Sequence, residues 1–302
     1  MSILRRLFYL VLATITNALS FYVLELLLID VGAIQLLGIR EHGFLGAGVM
    51  FSLLGSLLTW YLARDLVISS TMTHLMTGGE WPAVVADLAR RSGLKWVPEV
   101  GVYENPSSNA IVVGRTNSRM LIALSQGLIE AGPGPAANLV IAHQLARIQS
   151  GDVVTQLLLQ GFVAVFTLFP TRMFATFLGT SLRTAEDETP TDSPEGFLAS
   201  LLEMLVTPYT SLLVRFYARG VEARCDLRAC EVLGQAEVVS GFATLMKAPM
   251  QQPYRELFTL PLKFSGKPIA MINLLVYHAP LPQRLARITQ HQSRNIGSKA
   301  GP

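Results

Sequence analysis

The chain has 302 residues, 51% of them hydrophobic and only 15% charged, with a mean hydropathy of +0.42. Soluble domains carry roughly 25% charged residues, so the shortfall points to a chain that meets lipid. The net charge of +3 is small and dispersed, with no Lys/Arg block of the kind that tracks phosphates, which argues against a nucleic-acid partner. Cys225 and Cys230 lie five apart in one expected helix on roughly opposite faces, so no mutual disulfide is expected.

In chain order, four apolar stretches approach the roughly 20 residues that a membrane span requires. The first, residues 7–29, follows Arg5 and Arg6 and holds one charge, Glu25. It is too long for a signal-peptide core and lacks a clear cleavage site, so it is read as retained. The second, residues 44–62, ends in Trp60 and Tyr61 in the manner of interface anchors. The third covers residues 153–171, and the fourth residues 196–214, broken by Glu203 and Pro208. Gln156, Gln160 and Glu203 are costly in lipid and are expected to face protein or water. The alternative for the third and fourth stretches is burial in a soluble core. His42 and His74 flank the second stretch and read as interfacial. Basic residues near the first two spans, set against the acidic stretch 185–195, place both termini and the middle segment in the cytoplasm.

The middle segment reads as folded. The pattern predicts a helix over residues 81–93 and a strand over 99–103. Strands follow over 110–113 and 120–124, joined by the turn 114–119. A helix over 136–149 is opened by Pro135 and stopped by Gly151. Beyond the fourth span, helices are expected over 215–233 and 236–247, and the last dozen residues are expected to be loose.

Residues 143–147 read His-Gln-Leu-Ala-Arg. In the pattern His-Glu-x-x-His, two histidines four apart on one helix face bind a single Zn²⁺, and the glutamate polarises the zinc-bound water. Here His143 stands, the base is the amide of Gln144, and the second ligand is the guanidinium of Arg147. Arg147 keeps its proton and has no lone pair for a metal. Gln144 cannot take a proton as a carboxylate does, and loss of a general base alone costs about 10²–10⁴ in rate. Taken alone the five residues are a weak signal, because a lone helical histidine is usually structural.

The surrounding chain resembles the HtpX family of membrane zinc endopeptidases along nearly its whole length. Residues 106–110, Pro-Ser-Ser-Asn-Ala, followed by Gly114, resemble the strand ahead of that family's active site. Residues 125–128, Ser-Gln-Gly-Leu, are similar to the lead-in to the motif helix, and Ala142-His143 and Gly151-Asp152 bracket the motif. Glu222 and Asp226 occupy the place of the family's third ligand and of the acid behind it, and residues 277–284 resemble its closing His-Pro-Pro-Leu-x-x-Arg stretch.

The resemblance implies an α+β, mostly α, multi-pass membrane protein of about four transmembrane helices, with a cytosolic zincin-like domain containing a small β-sheet. Its parts are a transmembrane hairpin (1–64), a metallopeptidase-like part with the degenerate motif helix (65–152), a second hairpin with an acidic outer loop (153–214) and the rest of the domain (215–302). It implies a bacterial inner-membrane location, vestigial ligands at His143 and Glu222, supporting acids at Asp226 and Asp152, and an exposed peptide-pairing edge at Asn109, Ala110, Ile111 and Val112. His278 and Arg284 fall near the cleft, and Glu203 is a partner or water-cavity contact. No cofactor is expected, and zinc only if the motif is engineered or unusual. Arg147 is expected to pair with Glu222 where the metal would sit; the alternatives are a solvent-facing Arg147, or a residual site of His143, Glu222 and Cys225. The function expected is a pseudoprotease, acting as scaffold, adaptor or subunit in a membrane assembly or quality-control system. Its partners are then the lipid bilayer and a membrane protein or peptide segment; the alternative is an active membrane zinc endopeptidase.

Overall fold

The structure is a computed structural model in which residues 3–30, 43–116, 119–162, 194–247 and 278–299 are described. Along the chain run α1 (Ile3–Asp30), α2 (Gly43–Ser70), β1 (His74–Met76), α3 (Glu80–Arg91), β2 (Glu99–Tyr103), β3 (Ala110–Val113) and β4 (Leu121–Ser125). They are followed by α4 (Gln126–Glu130), α5 (Pro135–Ser150), a helix described over residues 152–162 (α6), α7 (Pro194–Leu233), α8 (Gln235–Lys247) and α9 (Leu281–Lys299). The chain divides into two units, Met1–Trp60 with Leu157–Val214, and Tyr61–Gln156 with Arg215–Pro302.

The first unit is helical and closes over small residues. A Cβ placed on Gly48 of α2 would come 2.3 Å from the ring of Phe21 on α1. One placed on Gly161 of α6 would come 2.4 Å from the Cα of Ser56, whose hydroxyl donates to the Leu158 carbonyl at 2.6 Å. Small residues at a helix contact let backbones approach this closely. The polar Glu25, Ser52 and Ser56 are buried, whereas Leu7, Phe8, Val11 and Ile15 of α1 and Leu53, Leu54, Leu57 and Leu58 of α2 are exposed. That inverts the usual arrangement of a water-soluble protein. Among the described residues, Gly48–Ser70 is long and apolar enough to cross a membrane. The first and second expected spans fall within α1 and α2, and the third is described only as far as residue 162. The fourth lies in α7, which runs through Pro208 without the expected break. The expectations for His42, for the acidic loop up to residue 193 and for the side chain of Glu203 fall outside the described residues.

The second unit holds a four-stranded sheet in the order β1-β2-β4-β3. β2 and β4 run parallel, pairing Glu99 with Leu121 through Tyr103 with Ser125, while the β1–β2 and β3–β4 pairs are antiparallel. The runs Ala-Ile-Val-Val and Leu-Ile-Ala-Leu-Ser of β3 and β4 are buried throughout, as continuous apolar strands covered on both faces should be. α3 turns Trp81, Val85, Leu88 and Ala89 inward. The turn 114–119 forms a hairpin, as its composition predicts; residues 117 and 118 lie outside the described residues. β1, too short to show alternation, is an addition to the expected elements and carries His74, exposed on the sheet four residues after α2 ends. Helix α9 replaces the loose end expected over the last dozen residues, as far as Lys299.

Ser125 locks the sheet to helix α4. Its hydroxyl donates to the Ser107 carbonyl at 2.6 Å, accepts from Asn109 N at 2.9 Å, and caps α4 by accepting from Leu128 N at 3.3 Å. Ser125→Ala removes a helix cap and leaves buried backbone groups unpaired, so it is expected to lower stability by about 2 kcal/mol. A thermal-shift comparison checks this.

Candidate functional site

α5 is a helix with hardly any outside face. Pro135 occupies its first turn, Gly151 ends it in the left-handed region (φ 67°), and twelve of its sixteen residues are buried. Three of those are His143, Gln144 and Arg147. Polar side chains in such a setting must find partners or destabilise the fold. Gly241 of α8 sets the helix in place: a Cβ there would lie 2.5 Å from the Pro135 carbonyl, so α8 packs directly on the start of α5. Asn138 Nδ2 reinforces the contact by donating to Glu237 Oε1 at 2.7 Å.

His143 faces α7. Its Nδ1 lies 2.8 Å from Asp226 Oδ1. Asp226 also takes a forked pair of bonds from Arg284, Nε to Oδ2 at 2.9 Å and Nη2 to Oδ1 at 2.6 Å. Arg284 Nη2 lies 3.3 Å from the same ring nitrogen, a proximity set by the shared acceptor. Burial, joined by the charges of Arg284 and Arg147, pushes His143 down to about 4 against the pull of Asp226. The ring is therefore neutral at pH 7, with its Nδ1–H donating to the Asp226 carboxylate. Burial pushes Asp226 up, yet the Arg284 charge and the bonds from His143 and Arg284 hold it well below the usual carboxylate range.

Glu222, one turn before Asp226, has both oxygens in use. Oε1 is 2.9 Å from His278 Nδ1 and 3.4 Å from Arg284 Nη1, and Oε2 accepts from Ala279 N at 2.9 Å. Burial again raises its pKa, and Arg284 and His278 outweigh that, so it stays ionised. The start of α9 thus clamps both acids of α7 through one fully buried arginine.

The motif's two altered positions are tied elsewhere. Gln144 Nε2 donates to the Ala110 carbonyl of β3 at 2.7 Å, and its Oε1 accepts from Arg147 Nη1 at 3.4 Å. Arg147 Nη2 donates to Gln156 Oε1 on α6. Burial lowers the Arg147 pKa against the pull of Cys225, Asp152 and Glu222. The expected direct pair of Arg147 with Glu222 is not formed: Arg284, His278 and Ala279 N hold that carboxylate, and Arg147 feels it only through space. Nor does Arg147 point at solvent, being 3% exposed. Asp152 stands apart from His143, accepting from Tyr217 Oη at 2.8 Å, Ser150 Oγ at 2.7 Å and Arg224 Nη2 at 3.2 Å. It anchors the end of α5 to α7.

Ala110, Ile111 and Val112 lie on β3, the outer strand of the described sheet, and Asn109 just before it, but all are fully buried. The open pairing edge expected there is therefore closed. Tyr217, Arg224 and Gln156 carry much of the network without having been singled out as site residues. The signal for the first two is their spacing on α7, where positions 217, 221 and 224 share the helix face turned to α5.

Zinc needs three protein donors with lone pairs. His143 and Glu222 are such donors, position 147 offers a guanidinium, and both Glu222 oxygens already accept protein bonds. Burial pushes the Cys225 thiol well above its ordinary range. Among the described residues no three His, Cys, Asp or Glu side chains are grouped to hold an ion.

The profile of peptidase family M48 matches residues 78–292. The chain is 27% identical over 236 residues to Protease HtpX of Glaesserella parasuis serovar 5, covering 76% of this chain and 83% of that protein. It is 27% identical over 276 residues to Protease HtpX of Haemophilus influenzae strain PittEE, covering 89% and 95%. Among solved structures it resembles S. mikatae Ste24p with a TM-score of 0.51 at 15% identity, a likeness of fold that spans 91% of this chain and 65% of that one.

Proposed function

The chain belongs to peptidase family M48, and from that premise we propose that it is a membrane-embedded pseudoprotease that holds or organises membrane proteins without cutting them. The observation that carries this reading is the pairing of the two altered motif residues. Arg147 fills the second ligand's position as a buried guanidinium, and the amide of Gln144 donates to the Ala110 carbonyl. A glutamate at that position has no proton to give the carbonyl at neutral pH, so the amide suits a structural tie and not proton transfer. Hydrolysis of the zinc kind needs three ligands, a water of lowered pKa and a base. Among the described residues this site offers two of the ligands and neither the third nor the base.

The apolar outer faces of α1 and α2 support seating in a bilayer. In this reading the chain is multi-pass in a bacterial inner membrane, with both termini and the M48-like domain cytoplasmic. Its partner is a membrane protein or a peptide segment of one, and its role is that of scaffold or subunit in an assembly or in quality control. The test is cleavage of an unfolded model substrate such as casein by purified full-length protein, with added zinc and with a chelator. No cleavage above background is expected in either condition; chelator-sensitive cleavage overturns the reading in favour of an active zinc endopeptidase.

A further inference from the structure

We propose that the turn between β3 and β4 rests on the headgroup layer of the bilayer, where Arg115 and Arg119 bind the phosphates of anionic phospholipids. The inference rests on the bilayer seating of α2 given above.

The depth of one residue sets the depth of the turn. Along α2 the exposed side chains from Met50 to Leu58 are all Met, Phe or Leu, and Tyr61 follows at 54% exposure. One turn further stand Arg64 and Asp65, the second with its side chain 72% exposed. An exposed carboxylate is costly in hydrocarbon, so water begins about 6 Å beyond Tyr61 at the helical rise per residue. Tyr61 therefore marks the boundary, a place that suits a ring with one polar end.

Tyr61 carries the turn with it. The Arg115 guanidinium lies 4.1 Å from the centroid of the Tyr61 ring, and both residues belong to one unit. The turn is pinned because its two ends close on each other. A Cβ on Gly114, at φ 152°, would come 2.4 Å from the Arg119 carbonyl oxygen, and Arg119 N donates to the Thr116 carbonyl at 2.9 Å. Thr116 and Arg119 are exposed. The hairpin turn is thus held at headgroup level.

Charge selects the lipid. Arg64 is engaged by Asp65 at 3.4 Å and by Glu99. Among the described residues, neither Arg115 nor Arg119 has a carboxylate in ion-pair range. Stacking uses the flat face of Arg115 and leaves the N–H groups in its plane, a fork that fits phosphate oxygens. Each such arginine at a membrane surface favours anionic over zwitterionic headgroups by about fivefold. A cation–π pair serving packing alone would be indifferent to the lipid.

Depth-dependent quenching on the full chain in vesicles tests this. One preparation carries a fluorophore at Thr116→Cys and another at Leu54→Cys, both with Cys230→Ser, since Cys225 is buried. The vesicles are phosphatidylcholine with about one-third phosphatidylglycerol. The Thr116 label is expected to be quenched about three times more by a headgroup nitroxide than by one deep in the acyl chains. That headgroup quenching is expected to fall about twofold in pure phosphatidylcholine, in about 1 M salt, or with Arg115→Gln/Arg119→Gln. No lipid quenching at Thr116, or quenching indifferent to lipid charge or to the two substitutions, overturns the proposal. The Leu54 label separates this from the seating of α2. It is expected to be quenched by the deep nitroxide, and an unquenched Thr116 beside it sinks the lipid-binding turn alone. A Leu54 label that no lipid quenches sinks the bilayer seating, and the turn with it.

Discussion

Arg284→Met is expected to be the most damaging single substitution in the peptidase-like unit, lowering its stability by about 3–5 kcal/mol. The side chain is fully buried and binds two carboxylates, a forked pair on Asp226 and a longer contact to Glu222. Its removal strands two negative charges away from water, and breaking one side of a buried pair costs more than the intact pair contributes. Fork geometry matters as well as charge, so Arg284→Lys is expected to recover only part of the loss. Chemical unfolding of the detergent-solubilised protein measures this. The useful contrast is Arg224→Met: that arginine is partly exposed, and Asp152 retains two hydroxyl donors without it. Its loss is expected to be about 1 kcal/mol, and similar losses for the two arginines would count against the clamp.

Asp152→Ala is expected to cost about 3 kcal/mol, second only to the loss of Arg284. The carboxylate gathers Tyr217, Ser150 and Arg224 where α5 ends, in a place without solvent access. Alanine there leaves two hydroxyls and one guanidinium short of their acceptor. Ser150→Ala, which removes one of the three donors, is expected to cost about 1 kcal/mol. The order of these two losses in the same unfolding assay checks that the acid, and not the turn at Gly151, anchors α5 to α7.

The elements around the motif are largely legible from local pattern. Pro135 and Gly151 bracket a helix that forms almost where they predict, and the apolar runs at 110–113 and 120–124 form adjacent strands. β1 is hidden because three residues cannot display a period, and α9 because its polar sequence resembles a loose tail. The acids are also legible as a pair, Glu222 and Asp226 being one turn apart; that Asp226 reaches His143 is a finding of the structure.

The pairing of charges is not legible. Two arginines compete for the same two acids, and spacing along the chain gives no reason to prefer one 58 residues away from Asp226 over one on the motif helix. The structure resolves the competition through α9, whose first turn brings Arg284, with His278 and Ala279 just before it, onto Glu222 and Asp226 together. Arg147 donates to the amides of Gln144 and Gln156, and feels Asp152 and Glu222 through space. The burial of Ala110–Val113 is hidden for a related reason: an outer strand looks open in sequence, and only packing closes it.

Guanidiniums and an amide hold this core together in the place where the family resemblance puts a metal. Elemental analysis of the full-length protein, purified from membranes of cells supplied with zinc and without chelator, tests that most directly. The expected result is zinc well below one equivalent per chain, and a melting temperature that a chelator leaves unchanged. One tightly held zinc per chain, lost to the chelator together with stability, would contradict it.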